Sequence, residues 1–407
     1  MRASAGSRRP RVDGTRRAAG AAALLTVLLA TAACAPAAQR TPPPSPAATA
    51  VTSSATAPSP SATTARQQPS EAQRVKAIVD GMSLAQRAAA VVMGNAPGTD
   101  PAALTAMMRG GFGGFILMGS NIPDTPDGLR IVTSALTTDP ALPPLIATDE
   151  EGGDVVRLQW DDQPGADVLK TQPAAAAQAA FAARGRILKD AGITVNFGVI
   201  ADVAQGPDSF IYDRSFGTDP AAAAERVAAA VRGEEPSVRS TLKHFPGHGA
   251  AEGDSHHSIP STGMDLATWR AQVAPPFAAG IVAGAPLVMM GHLAYTAVDA
   301  EPASLSPRWH EILRHDLGFR GVIVTDDLNM LTDSGVPAYT DVVADAVRSV
   351  AAGSDLVLAL GGAGPDTPQR IADGLVAAVQ HGDLPADRLS DAVSRVVALR
   401  LQLAVAR

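Results

Sequence analysis

A (β/α)8 barrel of the TIM type is the architecture this sequence predicts, and three observations predict it. Eight short apolar runs rich in β-branched residues recur between Val91 and Leu358. Longer segments with helical spacing separate them. Polar side chains suited to chemistry follow the ends of four different runs, and in such a barrel all strand ends open on one face.

The chain has 407 residues, 46% hydrophobic and 18% charged, which is enough apolar material for a core and rules out wholesale disorder. A net charge of -7 argues against a nucleic-acid partner, which would require clustered basic charge.

The first residues lie outside the predicted barrel. Residues 1–33 carry Arg2, Arg8, Arg9, Arg11, Arg16 and Arg17, then an apolar run from Ala18 to Ala33. A basic head, a short apolar body and small residues before a break make an export signal, and the run falls short of the roughly 20 residues that span a bilayer. The single cysteine follows directly, in Thr31-Ala32-Ala33-Cys34. That arrangement resembles a bacterial lipobox, in which Cys34 becomes the lipid anchor; an ordinary signal peptide cut near Ala33 is the alternative. One cysteine also means no disulfide within the chain.

Residues 35–70 are Ala, Pro, Ser or Thr at all but six of 36 positions. They cannot bury enough apolar area to offset chain entropy and read as a disordered tether. The expectation is a monomeric domain over residues 71–407, held at the outer face of the cytoplasmic membrane through its N-terminal lipid only, or secreted if Cys34 is unmodified.

Within that domain the strand candidates are Val91–Met93, Phe115–Met118, Leu145–Thr148, Ile193–Phe197, Ser240–Lys243, Leu287–Met290, Val322–Thr325 and Leu356–Leu358. Apolar runs without polar alternation suit a parallel sheet covered on both faces. Helical spacing marks Ala174–Ala191, Pro220–Arg232, Asp265–Ala283, Asp341–Ala352 and Pro368–His381. An open, doubly wound sheet would use the same alternation. No Gly-rich dinucleotide fingerprint opens the first βα unit and no phosphate loop occurs, so no cofactor is expected.

The densest chemistry lies in Lys243-His244-Phe245-Pro246-Gly247-His248-Gly249 and Asp254-Ser255-His256-His257, which hold four of the eight histidines. Proline and glycines make this a loop leaving a strand. Lys243 is one of four lysines beside 29 arginines, and its compact ammonium donates in several directions where a guanidinium is planar. Two readings compete for the cluster. His244, His248, Asp254 and His256 supply the atoms of a metal site, although the HxxxH pair lacks a helix. Alternatively, Asp254 holds the imidazole of His256 as a general acid/base. His292 closes the sixth run.

Further on, Val322–Thr325 ends in Asp326-Asp327: one carboxylate aimed into the barrel mouth as a nucleophile, the second capping the next element of the chain. The segments Asp149–Arg157 and Asp213–Gly217 add carboxylates and arginines suited to sugar hydroxyls.

With these residues assembled, the chain resembles glycoside hydrolase family 3, in particular its single-domain β-N-acetylglucosaminidases. KHFPGHG followed by DSH, DxEGGxVxR, RSFG and a strand-ending TDD carry the resemblance, in the right order, over roughly residues 72–405. The resemblance implies Asp326 as nucleophile and His256 as acid/base assisted by Asp254, with no metal. It implies that Asp149, Arg157, Arg214, Lys243 and His244 bind the sugar that is released. The implied activity is retaining removal of terminal β-linked N-acetylglucosamine (GlcNAc), with muropeptides of cell-wall turnover as substrate. A β-glucosidase or GlcNAc phosphorylase of the same family, or a non-catalytic sugar-binding lipoprotein, are the alternatives. Glu150, where glutamine is common, and Asp154, where a base is frequent, are expected to add negative charge at the mouth.

Overall fold

The computed structural model describes residues 69–360 and 364–405. The predicted export signal, Cys34 and the tether to residue 68 lie outside the described residues. Eight strands close into a barrel: β1 (Val92–Gly94), β2 (Gly114–Ile116), β3 (Leu145–Thr148), β4 (Val195–Ile200), β5 (Arg239–Phe245), β7 (Leu287–Met290), β9 (Val322–Asp327) and β10 (Leu356–Leu358). Neighbours pair in parallel throughout, and the ring is sealed by Val92 against Val357 and Met93 against Leu358. That seal removes the open doubly wound alternative. A two-stranded ladder, β6 (Ser261–Thr262) with β8 (Ala294–Tyr295), lies outside the barrel.

Each apolar run is apolar throughout because both of its faces are buried. Leu145, Ala147, Val195, Phe197, Leu287, Met289, Val322 and Val324 fill the interior, while Ile146, Val288 and Ile323 between them pack outward under the helices. The C-terminal helix (Ala386–Val405) adds Val396, Leu399 and Leu403 to the interior cluster. Its Arg400 donates to the carbonyls of Leu142 and Pro143, just before β3, so this helix covers the end where strands begin. The polar side chains that follow the strands gather at the opposite end.

The predicted helices appear with one difference. Asp265–Ala283 is two helices, Leu266–Gln272 and Ala274–Val282. Pro275 and Pro276 lack an amide hydrogen and are tolerated only in a first turn, so the helix restarts there. At the other edge of the domain, Ser70 caps the helix Glu71–Gly81 in a reciprocal box with Gln73.

Candidate active site

A cavity of about 160 Å³ opens at the C-terminal ends of the strands. Asp149, Arg157, Arg214, Lys243, His244, His256 and Asp326 all line it, so residues spread over 178 positions of sequence meet in one place. Asp254 stands just behind His256. The geometry forms three groups.

The first is a buried ion cluster on the floor. Lys243, in β5, reaches Asp149 Oδ1 at 2.7 Å and Glu151 Oε1 at 2.9 Å. Burial would discharge this lysine, but the two carboxylates outweigh it and raise its pKa, so it stays an ammonium. Arg214 grips Glu151 with two parallel donors at 2.9 and 2.7 Å. Burial alone would raise Glu151; Lys243 and Arg214 pull it down to about 2. Arg157 approaches Asp149 at 3.8 Å. Glu151 thereby holds Lys243 and Arg214 together, leaving Asp149 and the remaining donors to face a ligand.

The second group surrounds Asp326. Its Oδ1 accepts the Asp327 amide at 2.8 Å, and His244 Nε2 stands 4.0 Å from its Oδ2. Burial would raise this carboxyl, yet His244, His292, Lys243 and that amide hold it below the ordinary carboxylate range. Asp327 also lines the cavity but differs in its partners. Its Oδ1 accepts from the backbone of Asn329 and Leu360 and from the Asn329 side chain, and burial pushes it up to about 6. One aspartate is an ionised group in a cavity; the other ties the end of β9 to the segment after β10. His292 donates from Nε2 to the Asp327 carbonyl and accepts from Ser304 at Nδ1.

The third group is the loop after β5. Asp254 Oδ1 accepts from both the backbone amide and Nδ1 of His256, at 2.9 and 2.6 Å, which leaves Nε2 free to face the cavity. His256 is 57% exposed. Two glycines shape the loop's root: Gly247 has φ +131°, and a Cβ on Gly249 would lie 2.0 Å from the Val203 carbonyl oxygen.

Asp202 is the important residue that the sequence reading missed. Fully buried just beyond β4, it accepts from His244 N, His244 Nδ1 (2.7 Å) and His248 N (2.6 Å). Burial would raise it; His244 and His248 hold it low. It turns His244 Nε2 toward Asp326. A signal existed, since Asp202 follows an apolar run as Asp149 follows its own.

The metal reading finds no geometry. His244 is committed to Asp202, His248 to Ser255 and His256 to Asp254, and among the described residues no three His, Cys, Asp or Glu side chains are arranged to hold a metal ion.

Glu150 corrects an expectation. It does not charge the mouth: it is wholly buried away from the cavity, its Oε2 accepting from the amides of Arg157 and Leu158. Burial pushes its pKa up to about 8 despite those bonds, with Asp161 alongside adding to the rise. A protonated glutamic acid here does what a glutamine would. Above its ordinary value near 4.5 the unfolded chain gives up this proton while the folded state keeps it, so folding is penalised progressively from there to about pH 8. Glu150→Gln removes that penalty. The expected result is a melting temperature that gains on the wild type by about 2 °C or more at pH 8 relative to pH 5. An equal difference at both pH values would mean that Glu150 is ionised.

Fold and site together define a sugar-cleaving barrel enzyme. The chain belongs to glycosyl hydrolase family 3: the family's N-terminal domain matches residues 94–399. It is 34% identical over 301 residues to a β-hexosaminidase of Stenotrophomonas maltophilia (strain K279a), covering 65% of this chain and 88% of that protein. Among solved structures it is similar to a family 3 β-N-acetylglucosaminidase from Paenibacillus sp. str. FPU-7, at TM-score 0.74 and 31% identity, covering 80% of this chain and 63% of that longer one. LpqI of M tuberculosis is also similar, at TM-score 0.72 and 28% identity over 80% of this chain and 96% of that one.

Proposed function

We propose that this protein is a retaining β-N-acetylhexosaminidase that releases terminal β-linked GlcNAc. The observation that carries the reading is one cavity holding an ionised aspartate, Asp326, together with an imidazole, His256, whose far nitrogen is fixed by a carboxylate. Asp326 attacks the anomeric carbon; the C–O bond breaks as His256 Nε2 gives its proton to the departing oxygen. The sugar is then held as an ester of Asp326. A water enters, His256 takes its proton, the hydroxide oxygen bonds the anomeric carbon and Asp326 leaves as a carboxylate. Two inversions return the β anomer. Most glycosidases use two carboxylic acids for these jobs. An imidazole both gives and takes a proton near neutrality, and Asp254 holds this one by Nδ1. Asp149, Lys243 and Arg157 supply acceptors and donors for the sugar hydroxyls, and His244 shields one side of Asp326. Names of relatives favour GlcNAc over glucose.

The N-terminal sequence supports export and anchoring through Cys34, which would set a monomeric domain among muropeptides outside the cytoplasmic membrane. One experiment tests substrate and place together. Cells expressing the full chain are fractionated and assayed on nitrophenyl β-N-acetylglucosaminide and β-glucoside, with and without EDTA. The expected result is membrane-bound, EDTA-resistant hydrolysis of the first substrate at least about 100-fold faster than the second, released from membranes by Cys34→Ala. Preference for the glucoside would overturn the substrate, and membrane binding that survives Cys34→Ala would overturn the anchor.

A further inference from the structure

We propose that Phe210 is the platform of the leaving-group subsite, its ring stacking on the sugar that carries the departing oxygen; this deepens the function above and rests on it. The ring lines the same cavity as Asp326 and His256, yet is 43% exposed. Aromatic surface left in water at a site mouth offers about 25 cal/mol per Å² to a ligand that covers it.

The backbone behind the ring is anchored. Ile211 is fully buried against Ile200 and Ala204. The Tyr212 carbonyl accepts from Lys170 Nζ at 3.1 Å, and the same ammonium lies 3.6 Å from the Tyr212 ring centroid. Phe210 is therefore held in place before any ligand arrives, which lowers the entropy lost on stacking.

Its position fixes which sugar it meets. The ring lies 5.4 Å from the His248 ring, tilted by 40°. His248 Nε2 in turn bonds Ser255 Oγ at 3.0 Å, and Ser255 adjoins His256. Phe210 thus packs on the loop that carries the acid/base. The acid/base must face the departing oxygen, whereas the ion cluster of Lys243, Asp149 and Arg157 sits on the strand-end floor with Asp326. An aromatic face on the acid/base side meets the leaving group, and a pyranose offers it a face of C–H bonds.

The test compares a leaving group that can stack with one too small to do so. kcat/KM is measured on N,N′-diacetylchitobiose and on N-acetylglucosaminyl β-azide, for the wild type, Phe210→Ala and Phe210→Tyr. Phe210→Ala should lose about tenfold on the disaccharide and less than about twofold on the azide, with Phe210→Tyr close to the wild type on both. Equal losses on the two substrates would mean that Phe210 only supports the loop, and an undiminished rate on the disaccharide would mean that the ring touches nothing; either overturns the assignment. A wild type that turns over neither substrate removes the functional reading, and this assignment with it.

Discussion

Replacing Asp326 with asparagine is expected to lower kcat on nitrophenyl β-N-acetylglucosaminide by roughly 10⁴-fold or more. An amide cannot form the ester intermediate, and the carboxylates nearby are engaged: Asp327 Oδ1 accepts from the backbone of Asn329 and Leu360, and Asp149 from Lys243. The fold should be indifferent, because Asp326 accepts one backbone amide and an asparagine oxygen does the same. Melting temperatures of variant and wild type are therefore compared alongside the rates. Asp326→Ala supplies a sharper readout, since azide entering the vacated space would give the α-glycosyl azide. An asparagine variant retaining more than a tenth of the activity would move the nucleophile elsewhere.

The second large effect belongs to His256. His256→Ala should cost about 10²- to 10⁴-fold on chitobiose, where the leaving sugar needs a proton, and far less in the first step on a nitrophenyl glycoside, which departs as a stable phenolate. Added azide should speed the second step, because it needs no base, and should give the β-glycosyl azide, the opposite anomer to that from Asp326→Ala. Stability should not change, for His256 is exposed and among the described residues its side chain bonds only Asp254. Losses of the same size on both substrates would argue that His256 positions the loop and transfers no proton.

Much of this was legible without coordinates because the relevant signals are local. A run such as Leu145–Thr148 or Leu287–Met290 is apolar at every position since both of its faces are covered, and both appear as strands with those bounds. Residues just past such runs, Asp149 and Asp326 among them, reach the mouth because parallel strands all end on one side. Asp202 follows the same rule but stands alone amid small apolar residues, without a motif to draw the eye. Phe210 escaped for a different reason: an aromatic residue in a polar loop is expected to be buried, and only the folded loop shows that it is not.

By itself, then, the order of residues determined a parallel sheet and a set of acids, bases and cations delivered to its far end. Whether that sheet closed depended on Val92 meeting Val357, a contact between distant segments that no local pattern encodes. Charge state was likewise settled by surroundings. Adjacent aspartates, alike in sequence, were driven apart when one faced imidazoles and an ammonium and the other was buried among backbone amides. Glu150 became a neutral hydrogen-bonding group although its sequence neighbours Asp149 and Glu151 pair with cations. Proton affinity is a property of local dielectric and of partners brought from elsewhere in the chain, which is why tertiary structure alone could assign it.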